Sequence, residues 1–94
     1  MIEKDKETII EIISKQLTEA KIYLFGSRAR KDHLPESDID IAIDNRNKID
    51  SFLLSLIKEE IEESNIPFTV DVVDLHDISD DFKKQILKDS VIWL

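Results

Sequence analysis

The residues best suited to chemistry lie in one stretch, LFGSRARKDHLPESDIDIAI, which covers residues 24–43. It contains the chain's one glycine, Gly26, followed by Ser27, and near its end Asp38 and Asp40 stand one residue apart. On a strand, Asp38 and Asp40 would project to the same side, about 6 to 7 Å apart. Such hard oxygen ligands suit Mg²⁺ or Mn²⁺, held as one ion by both carboxylates or as two ions that share them. The spacing therefore predicts a divalent-metal site.

A third acid completes this arrangement. Two metal ions that act on a phosphate are normally bridged by carboxylates from more than one segment. The sequence FTVDVVDL, residues 68–75, is β-branched and alternating, which predicts a strand with Thr69, Asp71 and Val73 on one side. Asp74 falls on the other side, so Asp71 is the candidate third ligand.

Gly26 and Ser27 are candidates for binding a phosphate. They follow KIYLF (21–25), a predicted strand, at a point where glycine makes a positive φ or a close backbone approach easy. A strand-to-helix turn offers free backbone N–H groups, and the Ser27 hydroxyl adds another donor. Arg28 and Arg30 add local positive charge. The stretch thus predicts an anion site beside a cation site.

The hydrophobic pattern places these residues on a small sheet with helices packed against it, in the order α-β-α-β-α-β-α, an α/β (α+β) class. The sheet is expected to be mixed, with about three strands. The closing VIWL, residues 91–94, fits a helix end, a short edge strand or a docking tail equally well. Helices are predicted over 4–17, from Ser27 and ending by about Leu34, from Ile49 to about Asn65 and over 79–89. Strands are predicted over 21–25, 37–44 and 68–75.

Length and charge limit the classes of function. The 94 residues are expected to form one domain, 1–94, and the formal net charge of −8 opposes binding to long nucleic acid. The chain has no cysteine, and no apolar run approaches the roughly 20 residues that a membrane span needs. The charged start, MIEKDKETII, does not resemble a secretory signal. We expect a soluble, cytoplasmic protein that does not bind a membrane.

Each of these features alone is common on solvated surfaces, but their order is specific. Gly26 and Ser27, then ten residues, then Asp38-Ile39-Asp40 match the G-S-x(10)-D-x-D signature of nucleotidyltransferases of the DNA polymerase β type. The chain resembles the smallest members, the minimal nucleotidyltransferase (MNT) domains, over nearly its whole length. The family's third acid falls on Asp71.

The resemblance implies a mechanism. Asp38 and Asp40 would bind two Mg²⁺ ions, with Mn²⁺ as an alternative, and Asp71 would hold the catalytic ion. Ser27, the backbone around Gly26, and Arg28 or Arg30 would grip the terminal phosphates of ATP. A hydroxyl would then displace pyrophosphate from the α-phosphorus.

The resemblance also implies a partner. Minimal members are often paired with a helical HEPN protein as toxin and antitoxin, and some transfer AMP onto a tyrosine of that partner. We therefore expect an adenylyltransferase antitoxin of a type VII-like HEPN/MNT pair, in a hetero-oligomer. A non-catalytic antitoxin that acts by complex formation, or transfer to a small molecule, are the alternatives.

Several other residues are interpreted more simply. His33, His76 and Arg46 are expected to be surface residues outside the site. Phe52 is a candidate for a partner interface, but its helical spacing favours the core.

Overall fold

The structure is a computed structural model that describes residues 3–94. Helices and strands alternate along the chain as the hydrophobic pattern predicts, and the α/β class is confirmed. The elements are α1 (Glu3–Gln16), β1 (Lys21–Phe25), α2 (Gly26–Arg30), β2 (Ile39–Asp44), α3 (Ser51–Glu63), β3 (Val70–Asp74), α4 (Asp80–Asp89) and β4 (Val91–Ile92).

The four strands form one mixed sheet in the order β3-β2-β1-β4. β1 pairs antiparallel with β2 and with β4, whereas β2 and β3 are parallel. The parallel pair requires a crossover connection, which α3 supplies. β3, which carries Asp71, therefore lies at an edge of the sheet directly beside β2, which carries Asp40.

Helices α1 and α3 cover one face of the sheet. Ile39, Ile41 and Ile43 of β2 are fully buried there, because strand alternation points all three to this face. The helices contribute residues at the three- and four-residue spacing of an amphipathic stripe. The main core consists of Ile9, Ile13, Leu17, Ala20, Ile22, Leu24, Ile39, Ile41, Ile43, Ile49, Ile57, Ile61 and Val72.

Helix α4 covers part of the opposite face, where Ile86 packs with Ala42 and Leu75. Ser79 is the N-cap of this helix, because its hydroxyl accepts a hydrogen bond from the backbone N–H of Phe82 at 3.2 Å. Ala42 is fully buried in consequence, so β2 is covered on both faces at its centre rather than half-buried along its length. The start of β2, with Asp40, stays less covered.

The sheet has one strand more than the expected three. Val91–Ile92 forms β4, and the Trp93 N–H donates to the Ile22 carbonyl oxygen at 2.8 Å. The structure thus decides among the three interpretations of VIWL in favour of an edge strand. Local sequence could not decide this, because the pairing partner lies about seventy residues earlier in the chain.

Helix α2 ends at Arg30, before the limit of about Leu34 that Pro35 sets, because Lys31 adopts a left-handed conformation with φ of 64°. The prediction for Phe52 was wrong. Phe52 is 70 % exposed and does not lie in the core.

Within residues 3–94, no helix combines the length and the apolar character that crossing a membrane requires.

Candidate active site

Three strands place Phe25, Asp40 and Asp71 in one row across the sheet. Phe25 of β1 pairs with Asp40 of β2, and Asp40 pairs in parallel register with Asp71 of β3. Paired residues on adjacent strands point to the same face, with backbones about 4.8 Å apart. Two acids separated by thirty residues in the sequence thus become direct neighbours. Asp38 lies just before β2 and is exposed, as is Asp71.

The three acids interact electrostatically. Partial burial raises the pKa of Asp40, and the negative charges of Asp71 and Asp38 raise it further. The positive charge of Arg30 acts on Asp40 in the opposite direction. The arrangement concentrates negative charge at one point of the sheet, and this repulsion is what a bound cation would relieve.

Gly26 contacts Asp40 closely. Its φ is +74°, and a Cβ atom at this position would overlap Oδ2 of Asp40 and lie 3.1 Å from its Cγ. A side chain would therefore be strained by the backbone conformation and would also displace the carboxylate. The structure brings Gly26 to the acids rather than only near a phosphate.

Ser27 and Arg30 lie on the same short helix as Gly26. Ser27 is half-buried, and Arg30 is exposed, with Nε 3.3 Å from Oδ2 of Asp32. Gly26 and Arg30 line a cavity of about 210 Å³ between α2 and α4. The cavity is also lined by Phe25, the residue of β1 that pairs with Asp40.

Arg28 has a different environment from the one expected of a phosphate ligand. It is only 6 % exposed, and its guanidinium donates to the carbonyl oxygens of Ser37 and Pro35. The same group lies 4.6 Å from the ring centroid of Phe68. Its donors are thus engaged within the protein, so we do not assign Arg28 to the phosphates.

A larger cavity of about 850 Å³ runs along the edge of the sheet at β3. Asp40 and Asp71 line it together with the rings of Phe25 and Phe82. The size falls in the range of small-molecule sites, roughly 300 to 1,000 Å³. A nucleotide can therefore be accommodated against the acids.

The sequence does not predict that two aromatic rings line this cavity. The rings of Phe25 and Phe82 meet edge to face, with centroids 6.5 Å apart. Strand alternation places Phe25 on the face of Tyr23, but nothing in the sequence shows that Phe82 of α4 comes to meet it. Phe82 is 40 % exposed, so one side of the ring remains open.

The donor set fits a divalent cation in kind, because it consists of carboxylate oxygens on adjacent, register-fixed backbones. In the conformation described for residues 3–94, no three acidic, histidine or cysteine side chains are arranged to hold a metal ion. The two exposed acids, Asp38 and Asp71, have the freedom to rotate toward Asp40.

The residues that the sequence analysis left out of the site lie elsewhere. His33 is exposed, and Arg46 forms an exposed ion pair with Glu19 at 3.7 Å. Asp74 is buried on the opposite side from Asp71, and its Oδ2 accepts from the Ile49 N–H at 2.7 Å.

His76 also lies at the far end of the strands from Asp40. Its Nε2 is 2.7 Å from Oδ1 of Asp44, the last residue of β2. The pair holds that end of the sheet and has no contact with the row of acids.

The chain is similar to known proteins. The profile of the family described as "Polymerase beta, Nucleotidyltransferase" matches residues 7–93. A Haemophilus influenzae (strain ATCC 51907 / DSM 11121 / KW20 / Rd) protein described as "Probable protein adenylyltransferase MntA" is 32 % identical over 92 residues, which is 97 % of this chain and 81 % of that protein.

Solved structures agree with the fold. A crystal structure of a toxin–antitoxin with AMP-PNP matches with a TM-score of 0.80 and 26 % identity, over 95 % of this chain and 72 % of that chain. A tri-AMPylated Shewanella oneidensis HEPN toxin in complex with its MNT antitoxin matches with a TM-score of 0.77 and 24 % identity, over 100 % of this chain and 72 % of that chain, and this likeness is one of fold. With the family profile covering nearly the whole chain and the Gly-Ser turn packed against its aspartates, the chain belongs to the polymerase β nucleotidyltransferase family.

Proposed function

We propose that residues 1–94 form one minimal nucleotidyltransferase domain that transfers AMP from ATP to a tyrosine hydroxyl of a HEPN toxin partner and so acts as its antitoxin. The observation that carries the proposal is the register of Asp40 with Asp71, with Gly26 packed on Asp40. This contact supports a single site made of the acids and the turn that we propose to bind phosphate. Because ATP and Mg²⁺ are both present in the cytoplasm, we propose that the reaction takes place there.

The residues have distinct roles in the proposed reaction. Asp38, Asp40 and Asp71 would hold two Mg²⁺ ions, or Mn²⁺ in their place. When bound, such ions lower the pKa of an attacking hydroxyl and neutralise a leaving phosphate. The Ser27 hydroxyl, the backbone at Gly26 and the Arg30 guanidinium orient the terminal phosphates toward the acids.

The transfer itself is a substitution at phosphorus. The hydroxyl oxygen forms a bond to the α-phosphorus while the bond to the bridging oxygen breaks. Pyrophosphate leaves with that electron pair, and the hydroxyl proton is released to water. The open cavity along β3 leaves the α-phosphorus accessible to a hydroxyl from a second protein.

The choice of ATP and of a HEPN acceptor is supported by the relatives. The Haemophilus influenzae relative is described as a protein adenylyltransferase, and the structure with AMP-PNP is a toxin–antitoxin assembly. A chain with a net charge of −8 also suits a basic, RNA-cleaving partner.

The proposal is tested by incubating the chain with ATP, Mg²⁺ and the HEPN protein encoded beside it. We expect a mass gain of one or more AMP groups on the partner. Asp40→Asn is expected to reduce the rate by more than about 100-fold, because even indirect partners of metal ligands cost roughly 10- to 100-fold when removed.

Asp77→Asn is the matched control. Asp77 is an exposed aspartate whose Oδ1 lies 3.6 Å from Lys48 Nζ, outside the row of acids. It removes the same charge and is expected to retain full transfer. An unmodified partner with the wild-type chain, or undiminished transfer by Asp40→Asn, would contradict the proposal.

A non-catalytic antitoxin is the second candidate, and exposed apolar side chains favour it. Ile92 is 69 % exposed and Leu94 is 51 % exposed at the β4 edge, and such residues commonly serve in contacts between proteins. Under this alternative, Asp40→Asn neutralises the toxin in cells as well as the wild-type chain does. Transfer to a small molecule predicts instead that ATP is consumed without the partner.

A further inference from the structure

Arg28 holds the loop that leads into β2. Its Nε lies 3.0 Å from the Ser37 carbonyl oxygen, and its Nη2 lies 2.7 Å from that oxygen and 3.1 Å from the Pro35 carbonyl oxygen. Ser37 directly precedes Asp38 in the chain. Three hydrogen bonds from one buried side chain therefore anchor the segment on which Asp38 stands.

The same guanidinium contacts the segment that leads into β3. Its central carbon lies 4.6 Å from the ring centroid of Phe68, close enough for a cation–π interaction. Phe68 precedes Thr69, whose carbonyl oxygen accepts from the Ile39 N–H at 2.9 Å. Arg28 thus lies where the entries to β2 and β3 meet. Its contacts Ser37 and Phe68 stand three residues before Asp40 and three residues before Asp71, respectively.

Few contacts other than those of Arg28 hold the loop of residues 31–37 in place. Residues 31–36 are all exposed, and none of them belongs to a helix or strand. The other hydrogen bonds that the structure gives to Ser37 run to Leu34, within the same loop. Without Arg28, the carbonyl groups of Pro35 and Ser37 would lose the side-chain donor that joins them to α2.

We propose that Arg28 is a positioning residue, which clamps the entries of β2 and β3 so that Asp38 is held beside Asp40 and Asp71. The inference rests on the proposed function, since it concerns the same acids. Arginine is required because its planar fork can donate to two carbonyl groups and stack on a ring at once, which a lysine ammonium cannot do.

The expected consequence is a weaker metal site in a folded protein. Arg28→Lys keeps the charge but loses the fork, and Arg28→Gln loses both. Each is expected to raise the Kd for Mn²⁺ by about 10- to 100-fold, the usual effect of removing a group that orients metal ligands. Phe68→Leu removes only the ring contact and is expected to have a smaller effect in the same direction.

Asp74→Asn is the control for lost stability. Asp74 is also a buried charged residue that holds a loop, because it accepts from the N–H groups of Ile49 and His76 at 2.7 and 2.9 Å. It does so at the other end of the same strands. This variant is expected to lower the unfolding temperature while leaving Mn²⁺ binding as in the wild-type chain.

The experiment titrates Mn²⁺ alone into the full chain, followed by water proton relaxation, and measures each variant's thermal unfolding. Titration well below the lowest unfolding temperature keeps every variant folded. A raised Kd in both Arg28 variants and an unchanged Kd in Asp74→Asn would support the clamp. An unchanged Kd in the Arg28 variants, or an equal rise in Asp74→Asn, would overturn it.

The two proposals fail differently in this design. Loss of Mn²⁺ binding on replacing Arg28, together with a wild-type chain that transfers no AMP, supports the clamp and contradicts the proposed function. If the wild-type chain transfers AMP and the Arg28 variants bind Mn²⁺ as tightly as it does, the proposed function is supported and the clamp is contradicted. A wild-type chain that binds no Mn²⁺ at all contradicts both.

Discussion

Gly26 occupies a position where two independent constraints exclude other residues. Its φ of +74° disfavours any side chain, and a Cβ atom would overlap the Asp40 carboxylate. Glycine at this point therefore permits both the turn and the placement of Asp40, the proposed metal ligand. The residue predicted to bind phosphate also fixes the space available to that acid.

Gly26→Ala is predicted to lower the free energy of unfolding by about 1 kcal/mol or more, from backbone strain together with the overlap. In the double variant with Asp40→Ala, part of this loss should be recovered, because the overlapping oxygen is gone. Urea denaturation of the two single variants and the double variant measures this coupling. Strictly additive losses would show that Gly26 and Asp40 do not contact each other.

At the scale of elements, the two ends of the β2–β3 pair have different tasks. One end carries the acids, whose repulsion is unfavourable without a cation. The other end is held by Asp44, His76 and Asp74, whose hydrogen bonds join β2, β3 and the loop before α3. Stability and chemistry are thus separated along the same two strands.

The Asp44–His76 pair predicts a pH dependence of stability. Burial raises the pKa of Asp44. The pKa is lowered by the hydrogen bond from the Arg46 N–H, by the hydrogen bond and charge of His76, and by the charge of Lys83. These effects outweigh burial, so the pKa is lowered from 3.8. A lowered carboxyl pKa contributes stability above the unfolded value, and this contribution is lost as pH falls below 3.8 through the folded pKa.

Asp44→Asn is therefore predicted to lower the free energy of unfolding at neutral pH. Because the pair is partly exposed and screened by solvent, the loss should be about 0.5 kcal/mol. At acid pH, as the pH falls below 3.8 and through the lowered pKa of folded Asp44, the difference from the wild-type chain should shrink, since the protonated carboxyl is then uncharged like the asparagine amide. Urea denaturation at both pH values measures it, and a difference that grows on acidification would contradict the assignment.

At the scale of the whole molecule, ligand binding and folding are linked. The proposed site combines Asp71 of β3, Asp40 of β2, Asp38 just before β2 and the turn at Gly26, so it is complete only in the folded chain. A nucleotide with Mg²⁺ should therefore stabilise the fold in proportion to its affinity.

AMP-PNP with Mg²⁺ at ten times its Kd is predicted to stabilise the wild-type chain by about 1.4 kcal/mol, a rise of about 6 to 11 °C in unfolding temperature for a domain of this size. Asp71→Asn should abolish most of this rise, and Asp77→Asn should retain it. Thermal unfolding with and without ligand provides the measurement. An equal rise in the Asp71 variant would remove Asp71 from the site.

Local patterns were sufficient for much of this description. Side chains alternate between the two faces along β3, which predicts Asp71 and Asp74 on opposite faces. In the structure Asp71 is exposed and Asp74 is buried. β1 has the bounds that KIYLF predicts, because β-prone residues stop there at a glycine. These results depend only on neighbours in sequence, whose geometry is set by side-chain alternation and backbone propensity.

Long-range packing decided the rest. Arg28 is basic and lies beside a phosphate-binding turn, but the fold buries it against Ser37 and Phe68. The helical spacing of Phe52 predicts a core position, but this residue of α3 is exposed to solvent. Phe82 of α4 contacts Phe25 of β1. The sequence by itself determined which residue types can do chemistry and, along the strands, on which face they lie. Only the tertiary structure decided which of them meet, because strand pairing and helix packing join segments whose separation along the chain leaves no local signal.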